Sequence, residues 1–262
     1  MNIIADEKLH DFLSAFRETV PREIRDITYN FLLDDSTVTE MLHVGLPSLN
    51  SPAQKKVAIY ERLNNNNSAT LRFLKASLAP PCVAQEIVST FFSIYTGLFI
   101  HDPRNIGKVL NTDFFGHGVT AADIRLPALT LEWPVQYMSI FADPGKAAYD
   151  THVSSQIAQL LSPTFKVKNN FHFAIILLVE QRYMWSPSRV ELHEAIDETL
   201  QFLRPIIPRF QKNIEIKVVF EYAFLERPSK TLLLAACTTS EGDINFELVH
   251  DKLACHINGG GV

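Results

Sequence analysis

The hydrophobic period of this chain changes near residue 120, and no all-helical or all-strand fold accommodates both halves. Before the change, apolar residues recur every three or four positions. Leu9, Phe12, Leu13 and Phe16 predict an amphipathic helix over 6–20, because residues three and four apart share one helix face. Pro21 restarts the chain, since proline fits a first helical turn, and Ile24, Ile27, Phe31 and Leu32 mark a second apolar face. Asp35 or Ser36 is expected to cap a short third helix through Leu42. Two more helices are expected over 52–63 and 69–77, separated by the asparagine run 64–67, a residue type that favours turns. Pro80-Pro81 breaks the chain before a buried helix expected over 82–100. Asp102-Pro103 then supplies a cap and a first-turn proline for a helix ending near Leu110.

After residue 120 the period is two. Ile214, Ile216, Val218, Phe220, Tyr222 and Phe224 alternate with Glu215, Lys217, Val219 and Glu221, the pattern of a strand with one face in a core. Residues 166–173 alternate in the same way and run into the apolar stretch 174–179. Thr231–Cys237 and Ile244–Val249 are two further expected strands joined by the turn Ser240–Asp243. Consecutive strands with short connections imply an antiparallel meander. One helix interrupts them: Ser188 and Glu191 form a capping box ahead of Leu192, Ile196, Leu200 and Leu203, with Pro205 and Pro208 at its end. The expected fold is α+β, a helical N-terminal half packed on a mostly antiparallel sheet in the C-terminal half. No low-complexity seam divides the chain, so residues 1–262 are expected to form a single compact domain, with 1–120 mainly helical and 121–262 α+β.

Composition excludes several functions. With 47% hydrophobic and 20% charged residues the chain buries a core and is not a disordered segment. A net charge of −5 and the absence of a basic run disfavour nucleic acid as a partner. Three scattered cysteines suit neither a disulfide framework nor a zinc ribbon, and fit a reducing cytoplasm. The first residues lack the basic and apolar regions of a signal peptide. The most apolar stretch, Ile87–Ile100, is shorter than the roughly 20 residues of a membrane span. A cytoplasmic protein without membrane contact is therefore expected. Neither a phosphate-binding glycine loop nor a G-x-S-x-G elbow is present. His193-Glu194 through Asp197 imitates a zinc-protease helix with aspartate in place of the second histidine and no third ligand evident. No cofactor and no metal are expected.

Two sets of residues stand out as candidates. In Phe114-Phe115-Gly116-His117-Gly118, two glycines leave the imidazole accessible, and His117 could act as a general base oriented by Asp113, Asp123 or Glu132. The plainer reading is a helix end, with Gly116 or Gly118 as its turn residue and the aromatics packed inside. Trp133, Tyr137, Tyr183 and Trp185 flank prolines and are expected as exposed anchors of a protein interface.

Residues 112–134, TDFFGHGVTAADIRLPALTLEWP, resemble a pattern in uncharacterised bacteriophage and prophage proteins. In that pattern a helix ending in threonine precedes a strand of the form LRLP, hydrophobic residues, glutamate and an aromatic residue. Thr112, Ile124, Arg125, Leu126, Pro127, Leu131, Glu132 and Trp133 carry the likeness, and Leu129 and Thr130 depart from it where aromatic residues are usual. The resemblance implies a phage-type origin and transfers no catalytic residue. The first expectation for function is a non-enzymatic accessory protein that binds and modulates a host protein. The second is a hydrolase or nuclease-like enzyme using His117 with Asp113 or another nearby carboxylate. The third is a structural or assembly subunit. The sequence leaves the oligomeric state open.

Overall fold

A computed structural model describes residues 3–34, 37–38, 41, 74, 79–135, 146–181, 189–210, 214–222, 230–233, 245, 248–249 and 251. Two compact units share the chain. The first comprises Met1–Tyr95 with Leu110–Leu126, and the second Thr96–Val109 with Pro127–Val262.

The first unit is mainly helical where it is described. Helix α1 spans Ile3–Thr19 and α2 spans Arg22–Leu32. Pro21 separates them as the residue capping α2, with φ −55 and ψ 149, and it has no N–H with which to continue α1. Helix α3, Pro81–Ile94, carries its proline in the first turn and buries Val83, Ala84, Ile87, Val88, Phe91 and Phe92. Phe91 is the hub of an aromatic cluster, with ring centroids 5.4 Å from Phe92, 5.1 Å from Tyr95 and 5.5 Å from Phe115. Thr37, Val38 and Met41 are helical. Their cap is Asp34, whose Oδ1 accepts the Thr37 N–H at 2.7 Å. Asp35 and Ser36, the helix expected over 52–63 and most of 69–77 lie outside the described residues.

One carboxylate joins the three helices. Glu86, buried on α3, accepts hydrogen bonds from Arg25 Nε at 2.9 Å, Arg25 Nη2 at 2.8 Å and the Tyr29 hydroxyl at 2.9 Å. Arg22 Nη1 stands 3.1 Å and Arg17 Nε 3.6 Å from the same residue. Arg25 Nη1 also donates to the carbonyls of Arg17, at 2.9 Å, and Val20, tying the C-terminal end of α1 to α2. Burial by itself would raise the Glu86 carboxyl. The hydrogen bonds from Arg25 and Tyr29 and the charges of Arg22 and Arg25 outweigh burial and hold it below its ordinary value. For Tyr29, burial and the adjacent carboxylate raise the hydroxyl, which therefore stays protonated as a donor.

Helix α3 is shorter than its apolar run suggests. It ends at Ile94, Tyr95 turns to extended backbone, and Phe99–Ile100 form strand β1 instead of a last helical turn. Leu98 and Ile100 are buried as extended chain, and apolar content alone does not distinguish a buried strand from a buried helix.

The second unit is built on a five-stranded sheet in the order β1-β2-β3-β4-β5. Strand β2 is Leu126–Pro134, β3 is Val167–Gln181, β4 is Ile214–Tyr222 and β5 is Lys230–Leu233. The pairing overturns the expected mostly antiparallel sheet. Strand β1 runs parallel to β2, with Phe99 opposite Thr130. Strand β3 runs parallel to β4, with Phe173 opposite Ile214 and Leu177 opposite Val218. Strand β4 runs antiparallel to β5, with Val218 opposite Leu232. The cause is the connections. Parallel neighbours need a crossover of a dozen or more residues. Helix α4, Ile106–Asn111, lies between β1 and β2. Helix α5, Lys146–Leu161, lies between β2 and β3. Helices α6, Arg189–Leu203, and α7, Ile207–Phe210, lie between β3 and β4. The last strand of the expected meander fails as well. Leu248, Val249 and Asp251 are helical, Val249 N–H donates to the Asn245 carbonyl at 3.1 Å, and the Asn245 side chain accepts the Leu248 N–H at 3.1 Å. Asn245 acts as a helix cap there.

Two helices of this unit pack against the sheet. Trp133 of β2 meets Phe202 of α6 with centroids 5.7 Å apart, and Phe171 and Phe173 of β3 each lie 5.3 Å from Phe210 of α7. Helix α5 packs beside α6. Along β3 and β4 the side chains on the face that meets α7, Phe171, Phe173, Ile175, Leu177, Val179, Ile216 and Val218, are buried. The opposite face of these two strands carries the half-buried Ile176, Glu215, Lys217 and Val219 beside the buried Ala174 and Leu178.

The Glu86 node gives the first prediction. Tyr29→Phe removes one hydrogen bond to a charged group and should cost about 2 kcal/mol in urea denaturation. The lowered folded-state pKa of Glu86 means that its contribution is complete above its ordinary value of 4.5. It is lost as pH falls below that value. Glu86→Gln should therefore lower stability at pH 7 and flatten the acid limb below pH 4.5.

Candidate functional site

Asp113 to Gly118 fold as a closed turn around a carboxylate. Gly116 and Gly118 both have φ 73, a left-handed conformation that glycine adopts without strain. That backbone aims successive N–H groups inward. Asp113 Oδ1 accepts from Phe115 at 3.2 Å and Gly116 at 2.9 Å, and Oδ2 accepts from Gly118 at 2.6 Å. Such an array of amides can bind an anion, and here the side chain of Asp113 fills it. Phe114 and Phe115 point into the core, as the plainer sequence reading has it.

His117 projects from this turn half-buried. Its Nε2 lies 2.9 Å from the Leu74 carbonyl. A carbonyl only accepts, so Nε2 carries the proton and the neutral ring presents Nδ1 as an acceptor. Burial lowers its pKa, more than the Leu74 carbonyl and the charge of Asp113 raise it, so the ring is neutral at pH 7.

The three carboxylates expected to orient His117 are engaged elsewhere. Asp113 holds the turn. Asp123 Oδ2 accepts from Thr120 N–H at 2.9 Å and from its hydroxyl at 2.7 Å, closing the capping box of the 3-10 turn Ala121–Asp123. Glu132 lies in the second unit, with Oε1 3.6 Å from His101 Nδ1. The glycines therefore marked the turn, while the imidazole, expected to be accessible, is half-buried against Leu74.

The expected aromatic anchors are also redistributed. Trp133 is 2% exposed and belongs to the core, against Phe202. Tyr137, Tyr183 and Trp185 lie outside the described residues. Among the described residues, exposed large apolar side chains are Val190, Leu248 and a set on the first two helices. On α2, Phe31 is 83% exposed, Ile24 52% and Ile27 51%, with Leu32 beside them, and Phe12 on α1 is 63% exposed. Ile24, Ile27 and Phe31 are spaced i, i+3, i+7, one stripe along the helix. The period of this face was legible in the sequence. Its outward direction was not, because Arg25 and Tyr29 on the other side of α2 are drawn to Glu86, a partner 61 and 57 residues away.

Among the described residues no cluster of three or more His, Cys, Asp or Glu side chains could hold a metal ion. No helix among them is long and apolar enough to cross a membrane. Family models, curated proteins and solved structures give no match to the chain.

Two predictions follow from the turn. Gly118→Ala forces a side-chain-bearing residue to φ 73, although its Cβ would meet Gln85 only at an ordinary 3.6 Å. Strain alone should cost about 1 kcal/mol, readable as a drop in Tm. His117 has a lowered folded-state pKa, so its contribution to stability is complete above 6.5 and declines as pH falls below that value. A plot of Tm against pH should bend downward below pH 6.5, and His117→Gln should remove that bend.

Proposed function

We propose that this chain is a non-enzymatic protein of the cytoplasm that acts by binding and modulating another protein. The phage-type resemblance makes a host protein the natural target. The observation that carries the reading is the outward stripe Ile24, Ile27 and Phe31 on α2. Single exposed hydrophobic residues are ordinary on a protein surface. A contiguous stripe at helical spacing is a surface built for another chain.

One further observation supports binding over catalysis. The carboxylates expected to serve His117 are committed to other contacts.

The test is affinity capture from nuclease-treated bacterial lysate with the wild-type chain and with an Ile27→Ser, Phe31→Ser variant. Both positions are more than half exposed, so the variant should fold with Tm within about 2 °C of wild type. A single stoichiometric partner held by the wild type and lost from the variant is the expected result. Equal capture by both, or a stable homo-oligomer in place of a partner, would overturn the reading.

A further inference from the structure

We infer that the α1–α2 hairpin is an arm latched to α3 through Glu86, and that it releases as a unit while the sheet of the second unit stays folded. The inference stands apart from what the α2 stripe binds.

Burial shows how little else holds the arm. A docked amphipathic helix turns its large apolar side chains inward. Between Glu7 and Asp34 only Leu13, Tyr29 and Leu33 are buried, whereas Phe12, Ile24, Ile27, Phe31 and Leu32 are exposed. Segments with few buried apolar contacts lie at the low-stability end of a fold and open first.

Charge supplies the hold. Among the described residues of α1 and α2, every hydrogen bond and ion pair to α3 ends on Glu86. That carboxylate faces Arg17 from α1 and Arg22, Arg25 and Tyr29 from α2. Asp26 adds a second anion at the cluster, where its Oδ1 accepts from Arg22 Nε at 2.7 Å. The hairpin also has ties of its own. Arg25 Nη1 donates to the Arg17 carbonyl at 2.9 Å, and the Phe16 and Tyr29 rings lie 6.3 Å apart. These ties do not involve α3, so the two helices leave together.

The latch has two states because one carboxylate serves three guanidinium groups. Ionised, Glu86 attracts all of them. Protonated, it leaves three like charges crowded at one corner, and their repulsion pushes the arm away. The contacts hold the Glu86 carboxyl below its ordinary value, so the latch is complete above pH 4.5 and is lost as pH falls below it.

Hydrogen–deuterium exchange of the full chain, read by mass spectrometry and corrected for the intrinsic rate at each pH, tests this. At pH 7, Glu86→Gln should speed exchange in α1 and α2 at least about tenfold and leave β3 unchanged. In the wild type, protection of α1 and α2 should fall below pH 4.5 while that of β3 holds. Tyr29→Phe keeps all three arginines and Glu86, and serves where Glu86→Gln does not fold. It should speed exchange in the same two helices by about threefold or more. Equal loss of protection in the hairpin and in β3 would mean that the chain opens only as a whole. Unchanged protection of the hairpin in either variant would mean that packing holds it without Glu86. Each of these results would overturn the latch.

Discussion

The carboxylate of Glu86 is the constraint on which the helical unit depends. A charge on so apolar a helix is tolerated only when its acceptor positions are filled. Arg25 and Tyr29 fill them directly, and Arg22 and Arg17 stand in the surrounding shell. This node sets the rotation of α2 about its own axis. With Arg25 and Tyr29 turned inward, the opposite face of α2 must look outward whatever its hydrophobicity, and that face is Ile24, Ile27 and Phe31. One buried ionic contact thus decides which side chains of α2 are core and which are surface.

Much of the architecture was legible in the sequence. Prolines at 21, 80 and 81 mark helix starts because proline fixes φ and lacks an N–H. Alternation over 166–173 and 214–222 locates β3 and β4, and the spacing of Leu192, Ile196, Leu200 and Leu203 locates α6. Helix α5 was missed. Its buried residues are only Val153, Ile157 and Leu160 among many polar ones, so its apolar stripe is narrow. The antiparallel expectation itself came from the short connections of the C-terminal segments, whereas β3 and β4, separated by the expected helix α6, pair in parallel. The helix at Leu248 and Val249 was hidden for a different reason. A short apolar run reads equally as a strand until a cap such as Asn245 is recognised.

The candidate sites divide in the same way. The glycines at 116 and 118 announce a special turn, and the structure places both at positive φ. The use of the Asp113 carboxylate to fill the turn from within depends on three-dimensional closure. The bond from His117 to Leu74 spans 43 residues. Glu86 gave no local signal, because its partners lie on two other helices. Local chemistry is visible in spacing, whereas long-range pairing is visible only after folding.

The sequential order of the sheet bears on how the second unit is assembled during synthesis. Each new strand joins the edge left by the one before it, and no strand must wait for a later segment to be inserted between existing neighbours. As the chain emerges from its N-terminal end, β2 is met by β3, β3 by β4, and β4 by β5, each after its own crossover helix or short connection. The growing sheet always exposes one incomplete edge, and that edge is capped by the next segment to be made. Such a unit gains its structure in the direction of translation, so pausing after any completed strand leaves a partial sheet whose pairings are all native.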